Sequence, residues 1–280
     1  LIPAMGSHGG ATAEGQKDML ATLGITEETV GCPIRSSMET VCIGKNDEGV
    51  DSYMDRYAYE ADGIIIFNRI KPHSGFRGKY ESGLIKMMAV GLGKQYGAEV
   101  LHSGGDETLA KNIYLFGKAI LEHSKVLFAV GVLENAYDET AEIHVVKAEN
   151  ILEEELVYLA KAFTYLPRVL VDSCDAMIGA CIGKNYCGGG MDSNITGRFY
   201  SPLFHSRMEA QRIGVLDISE ESHGNANGIG VADVISKRAF DKLDAATTYP
   251  NALTTTCYRN ASIPLVMMND RLVMQTCVKG

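Results

Sequence analysis

Several features are missing from this chain, and each absence narrows what it can be. No apolar run approaches the ~20 residues that a membrane-spanning helix requires, so no membrane partner is expected. No stretch of five or six like charges occurs, and the formal charge of −9 offers no basic footprint for nucleic acid. There is no internal repeat and no low-complexity tract. The seven cysteines, at 32, 42, 174, 181, 187, 257 and 277, include no Cys-x-x-Cys pair, and a reduced, cytoplasmic chain is the simplest expectation. Cys174, Cys181 and Cys187 lie close in sequence, but their spacing fits no zinc pattern. They read as small apolar residues. No charged segment followed by an apolar one opens the chain, so no signal peptide is expected. Leu1-Ile-Pro-Ala-Met-Gly6 reads instead as a strand end entering a glycine turn, and an upstream segment of the natural protein is expected.

What is present suits a globular protein with a full core. The 280 residues are 46% hydrophobic and 22% charged, enough for two ordinary domains. Residues 11–24 read as a helix, with Met19, Leu20 and Leu23 on its apolar face and Gly24 after its end. Thr40–Ile43, Gly63–Phe67 and Val126–Val132 read as strands. Ser82–Val90 suits a buried helix or turn, and 107–123 and 148–166 read as longer helices. Pro167 interrupts the pattern. Beyond it, Val169–Asp172, a strand end at Leu216–Ser219, a helix over Val231–Leu243 and a strand at Leu265–Met268 are expected, and the end from Leu272 reads as strand-like. Alternating strands and helices predict an α/β protein with largely parallel sheets: an N-terminal domain over 1–165, a second α/β domain over 166–280, and a cleft between them.

The chemistry-bearing residues gather in glycine-rich loops. Gly63–Phe67 breaks into a loop with Lys71, His73, Arg77 and Lys79, a cationic setting suited to an anionic substrate. Pro72 stiffens that loop beside His73. His8 lies in Gly6-Ser-His-Gly-Gly10 ahead of a helix, where free N–H groups suit a phosphate or carboxylate; a turn histidine that only caps the helix is the plain alternative. The pattern is not that of a nucleotide P-loop. Lys86 is flanked by Leu84, Ile85, Met87 and Met88. A lysine there snorkels, pairs, or offers a neutral amine for covalent chemistry. His102 follows before Ser103-Gly-Gly-Asp106, and imidazole is a common metal ligand. His123 and His144 read as structural. In the second half, the loop His223–Gly230 either closes over a ligand or forms Asx turns.

Gly6-Ser-His-Gly-Gly10, Lys71-Pro-His73, Gly83-Leu-Ile-Lys86 with Gly91-Leu-Gly93, and His102 together resemble the lactate racemase family of nickel-pincer enzymes. The resemblance rests on their order and spacing over residues 1–105 and fades beyond 165. It implies an isomerase, a racemase or epimerase of a small anionic 2-hydroxy acid. Lys86 would carry the covalent nickel-pincer nucleotide, and His102 would be the nickel ligand. His8 and His73 would be the paired acid/bases, with hydride passing from the substrate to the cofactor and back. Lys71 or Arg77 would hold the substrate carboxylate. Gly9 stands where the family commonly has arginine, its upstream Asp-x-Thr-Arg-type segment is absent, and its second-domain contacts have no clear counterpart; a divergent member of unknown substrate is implied. An oligomer is possible. Two other readings stay open: a plain metal-dependent lyase or hydrolase using the same histidines, and a non-catalytic anion-binding protein.

Overall fold

The computed structural model describes residues 1–255 and 257–279, with the backbone alone at 106, 107 and 254. The chain divides into two units, Leu1–Pro72 with Gly78–Leu166, and His73–Arg77 with Pro167–Gly280.

In the first unit, β1 (Thr40–Lys45) and β2 (Asp51–Asp55) form an antiparallel hairpin. Its turn is closed by Asn46, whose Oδ1 accepts from the Glu48 and Val50 amides at 3.0 and 3.1 Å. The apolar run at 64–67 forms β3 (Ile64–Arg69), parallel to β4 (Val126–Glu134), which in turn pairs antiparallel with β5 (Thr140–Lys147). Around these sheets lie α1 (Ala13–Thr22), α2 (Glu27–Val30), α3 (Arg56–Glu60), α4 (Leu84–Lys86), α5 (Lys94–His102), α6 (Asp106–His123) and α7 (Ile151–Tyr165). A π-helical turn, Met87–Leu92, continues α4. Leu109, Ile113, Phe116 and Ile120 form the buried stripe of α6, a helical spacing that lays it against α4, the π turn and α5. Each such side chain contributes about 1.5–3 kcal/mol by burial. His144 lies in β5, paired with Glu142 at 2.8 Å and stacked on Tyr158 at 4.0 Å, a structural setting.

In the second unit, β6 (Ser173–Gly179), β7 (Glu209–Val215), β8 (Val234–Ser236) and β9 (Leu265–Met267) make one parallel sheet in that order. Its helices are α8 (Ser193–Thr196), α9 (Lys237–Lys242), α10 (Ala245–Thr255) and α11 (Asp270–Lys279). Strand alternation splits the core. Ile213, Val215 and Ile235 pack into one cluster with Ile182, Ile218 and Ile229, and Val234 joins Val273 and Cys277 of α11 in another. The fold class is α/β, as expected.

Three local expectations are corrected. Val169–Asp172 is not a strand: Leu170 is 89% exposed, and the ladder starts at Ser173. The supposed helix over Val231–Leu243 contains β8 at Val234–Ser236, all three residues buried in mid-sheet, and only then α9, capped by Ser236 Oγ accepting from the Ala239 amide at 3.0 Å. The C-terminal segment is helix, not strand. Asn269 Oδ1 accepts from the Leu272 amide at 3.0 Å, and Val273 and Cys277, four apart, face the sheet. The strands β2 and β5 are not among those expected from the sequence, and the strand expected to end at Leu216–Ser219 is β7, which ends at Val215.

Candidate functional site

The glycine turn around His8 is built against the helix that carries Lys86. Gly6, Gly9 and Gly10 take positive φ, which lets the chain reverse within a few residues. The Gly6 amide donates to the Gly91 carbonyl at 3.2 Å, docking the turn on the π turn after Lys86. At Gly91 the approach is so close that a Cβ would stand 2.5 Å from the Ala4 carbonyl oxygen. From α1, Gln16 Nε2 donates to the Gly6 and His8 carbonyls at 2.9 and 3.3 Å. The backbone of His8 is thus fixed while the residue itself is exposed.

Behind the turn sits a group that the sequence reading missed. Lys94 is fully buried and adopts a left-handed backbone, φ +53°. Its Nζ donates to the Pro3 carbonyl and to Gln16 Oε1, the latter at 3.1 Å, and lies 3.3 Å from Asp55 Oδ2. Burial pushes its amine below the ordinary lysine range, and Asp55 opposes that shift. One buried ammonium therefore ties the first residues of the chain, α1 and the start of α3 to the helix behind the π turn. Asp55 Oδ1 meanwhile caps α3 through the Ala58 amide at 3.0 Å. The available signal was a lysine directly after Gly91-Leu-Gly93.

Lys86 is half-buried, at the last position of α4 where the helix widens into the π turn. Such widenings frequently occur at functional sites. Burial, then repulsion from Lys71, lowers its amine to about 8, against an opposing pull from Glu81. Lys71 is exposed and pairs through its backbone with Ser82, N–H to O at 2.8 and 3.2 Å, closing the neck of the loop between β3 and α4. His102 is half-buried and ends α5, its carbonyl accepting from the Gly105 amide at 3.0 Å. The left-handed Lys94 separates the helical arm that carries His102 from the one that carries Lys86. Within the first unit the His8 turn thus docks on the π turn that follows Lys86, Lys71 lies near enough to Lys86 to repel its charge, and His102 ends the next helical arm.

His73 and Arg77 belong to the second unit. The Gly75 amide donates to His73 Nδ1 at 2.9 Å, so the neutral ring carries its proton on Nε2. Arg77 donates to the His73 carbonyl at 2.8 Å and to Asn194 Oδ1, and its guanidinium stacks 4.6 Å over Phe199. These contacts hold the loop that carries His73. Among the described residues, no group of three or more His, Cys, Asp or Glu side chains is arranged to hold a metal ion. None of the described helices is long and apolar enough to cross a membrane.

The fold is similar to that of the lactate racemase apoprotein from Thermoanaerobacterium thermosaccharolyticum. The TM-score is 0.50 at 12% sequence identity, over 91% of this chain and 64% of that one. This chain therefore spans less than two thirds of that solved chain. No protein-family model and no curated protein matches the sequence.

Proposed function

We propose that the chain is an isomerase that inverts a carbon bearing a hydroxyl next to a carboxylate, with a nickel-pincer nucleotide attached to Lys86. The observation that carries this reading is the Lys86 amine, held half-buried at a helix-to-π-turn junction and lowered to about 8. A sizeable fraction is then neutral near physiological pH, as attachment chemistry requires. The residues fit the group in two further ways. The glycine turn at Gly6–Gly10 presents backbone beside a helix start, suited to an anionic nucleotide. A pincer asks the protein for a single imidazole, the role given to His102, whereas a plain metal site needs a ligand cluster that the described residues do not form. When bound, the group supplies reversible two-electron oxidation of the substrate carbon.

The chain's own residues do the rest. His8, exposed on a fixed backbone, takes or returns the hydroxyl proton on one face. His73, whose ring is oriented by the Gly75 amide donating to its Nδ1 at 2.9 Å, is the candidate for the second acid/base role. Lys71 supplies positive charge for the substrate carboxylate. The test is expression alongside the cofactor-making enzymes, then nickel analysis and polarimetry over a panel of chiral 2-hydroxy acids. Bound nickel and loss of optical rotation with one acid are expected. Protein that takes up no nickel and inverts nothing favours the anion-binding alternative.

A further inference from the structure

Glu155 lies on α7, 69 positions beyond Lys86, and is fully buried. Its Oε2 accepts from the Ile85 amide at 2.8 Å, and the Leu84 amide also acts on the carboxylate. These are the first two N–H groups of α4, which a helix normally satisfies with a serine, threonine or aspartate at its own N-cap. Here the N-cap is Gly83, which has no side chain to offer. The absence of a Cβ there is a requirement: one would stand 2.1 Å from Glu155 Oε1. The same peptide is gripped from the sheet, where Asn68 Nδ2 of β3 donates to the Gly83 carbonyl at 2.9 Å. Lys86 directly follows Ile85, whose amide Glu155 holds.

This arrangement is an expensive way to start a short helix. A buried carboxylate carries a desolvation cost of several kcal/mol. Moreover, Glu155 Oε1 is buried without a hydrogen-bond partner. A local cap would satisfy the same amides from the surface of the turn at little cost. What the remote cap adds is registration, because the backbone before Lys86 is fixed to β3 and α7 instead of to its own loop. We propose that Glu155 is a positioning residue for Lys86: by holding the Leu84 and Ile85 amides it aims the lysine into its desolvated setting and so sets the reactivity of the amine. This rests on the reading of Lys86 as an attachment point only for its consequence in cofactor loading; the coupling between Glu155 and the amine stands by itself.

The experiment uses the full chain without cofactor. Lys86 is labelled by reductive methylation with limiting formaldehyde, and the modified peptide is quantified by mass spectrometry across a pH series. In the parent, the labelling midpoint should lie near 8. Glu155→Gln keeps an acceptor oxygen and the same shape and should leave the midpoint in place. Glu155→Asp withdraws the oxygens by one methylene, and Gly83→Ala displaces the carboxylate without removing it. Both should let water reach the amine, raise the midpoint by about one unit and cut labelling at pH 8 by about fivefold. Cooperative thermal unfolding of each variant confirms that folded protein is being read. Folded Glu155→Asp and Gly83→Ala chains with the parental midpoint overturn the proposal. So does a Glu155→Gln chain shifted as far as Glu155→Asp, which assigns the effect to charge, or a Glu155→Asp chain that fails to fold, which makes the residue purely structural. A separate co-expression arm keeps the two ideas apart: shifted labelling with no adduct on the parent removes the cofactor reading and leaves the positioning role.

Discussion

Replacing Lys94 by methionine tests the buried group that backs the His8 turn. Methionine matches the length and shape of the side chain and has the same difficulty with φ +53°, so the comparison reads the loss of the ammonium. That loss leaves Gln16 Oε1 and the Pro3 carbonyl without their donor, and Asp55 Oδ2 without its counter-charge, in a setting where Lys94 and Asp55 are both 0% exposed. Removing one partner of a buried pair costs about 3–5 kcal/mol, because the remaining charge is stranded. For a unit of this size that corresponds to a fall of roughly 6–20 °C in Tm. Asp55→Asn removes the stranded charge while its amide oxygen still caps α3. The double variant should therefore recover about 1 kcal/mol or more relative to Lys94→Met alone. The assay is calorimetric or denaturant unfolding of the parent, both single variants and the double variant. A Lys94→Met chain within about 1 kcal/mol of the parent, or an Asp55→Asn change that adds to the damage, would refute the reasoning.

Two further outcomes follow from the same geometry. Gly91→Ala places a Cβ 2.5 Å from the Ala4 carbonyl and 2.7 Å from Met87 Sδ, which should lift the His8 turn off the π turn. A loss of about 1–3 kcal/mol is expected, with moved His8 ring signals by NMR; unmoved signals contradict the docking. Glu155 is raised by burial from 4.5 to about 7, so the folded chain resists its ionisation while the unfolded chain does not. Its contribution to stability is therefore fullest below pH 4.5 and is lost as pH rises through 7, by about 3 kcal/mol in total. Urea unfolding of Glu155→Gln over that range should lack this downward slope, and identical slopes in variant and parent count against it.

The sequence carried the fold wherever one kind of burial dominated. The uniform apolar runs at 64–67 and 126–132 became β3 and β4, and the helical stripe of Leu109, Ile113, Phe116 and Ile120 became α6. Short or mixed segments misled. β8 is three residues long and runs directly into α9, so its pattern merged with the helix. In α11 the apolar residues at 272, 273, 274, 277 and 278 look strand-like until Asn269 is taken as the cap and Val273 and Cys277 as the inner face. The desolvation of Lys86 was legible in its apolar flanks. Glu155 was not, being the third of three consecutive glutamates. Only the helical phase it shares with Ile151, Leu159 and Ala162, all buried, distinguishes it from Glu153 and Glu154. Lys94 was hidden for a related reason, since a left-handed backbone turns inward a side chain whose chemistry points to solvent.

The most direct measurement of the central claim is the intact mass of the chain made alongside the cofactor-making enzymes, with peptide mapping of Lys86. The parent should carry a nucleotide-sized adduct on Lys86 together with nickel. Lys86→Arg should be folded and bear neither, because a guanidinium cannot take the amine's place in the attachment. His102→Ala should keep the adduct but hold nickel more weakly, since it loses a ligand and not the attachment point. An active chain whose Lys86 is unmodified would contradict the account.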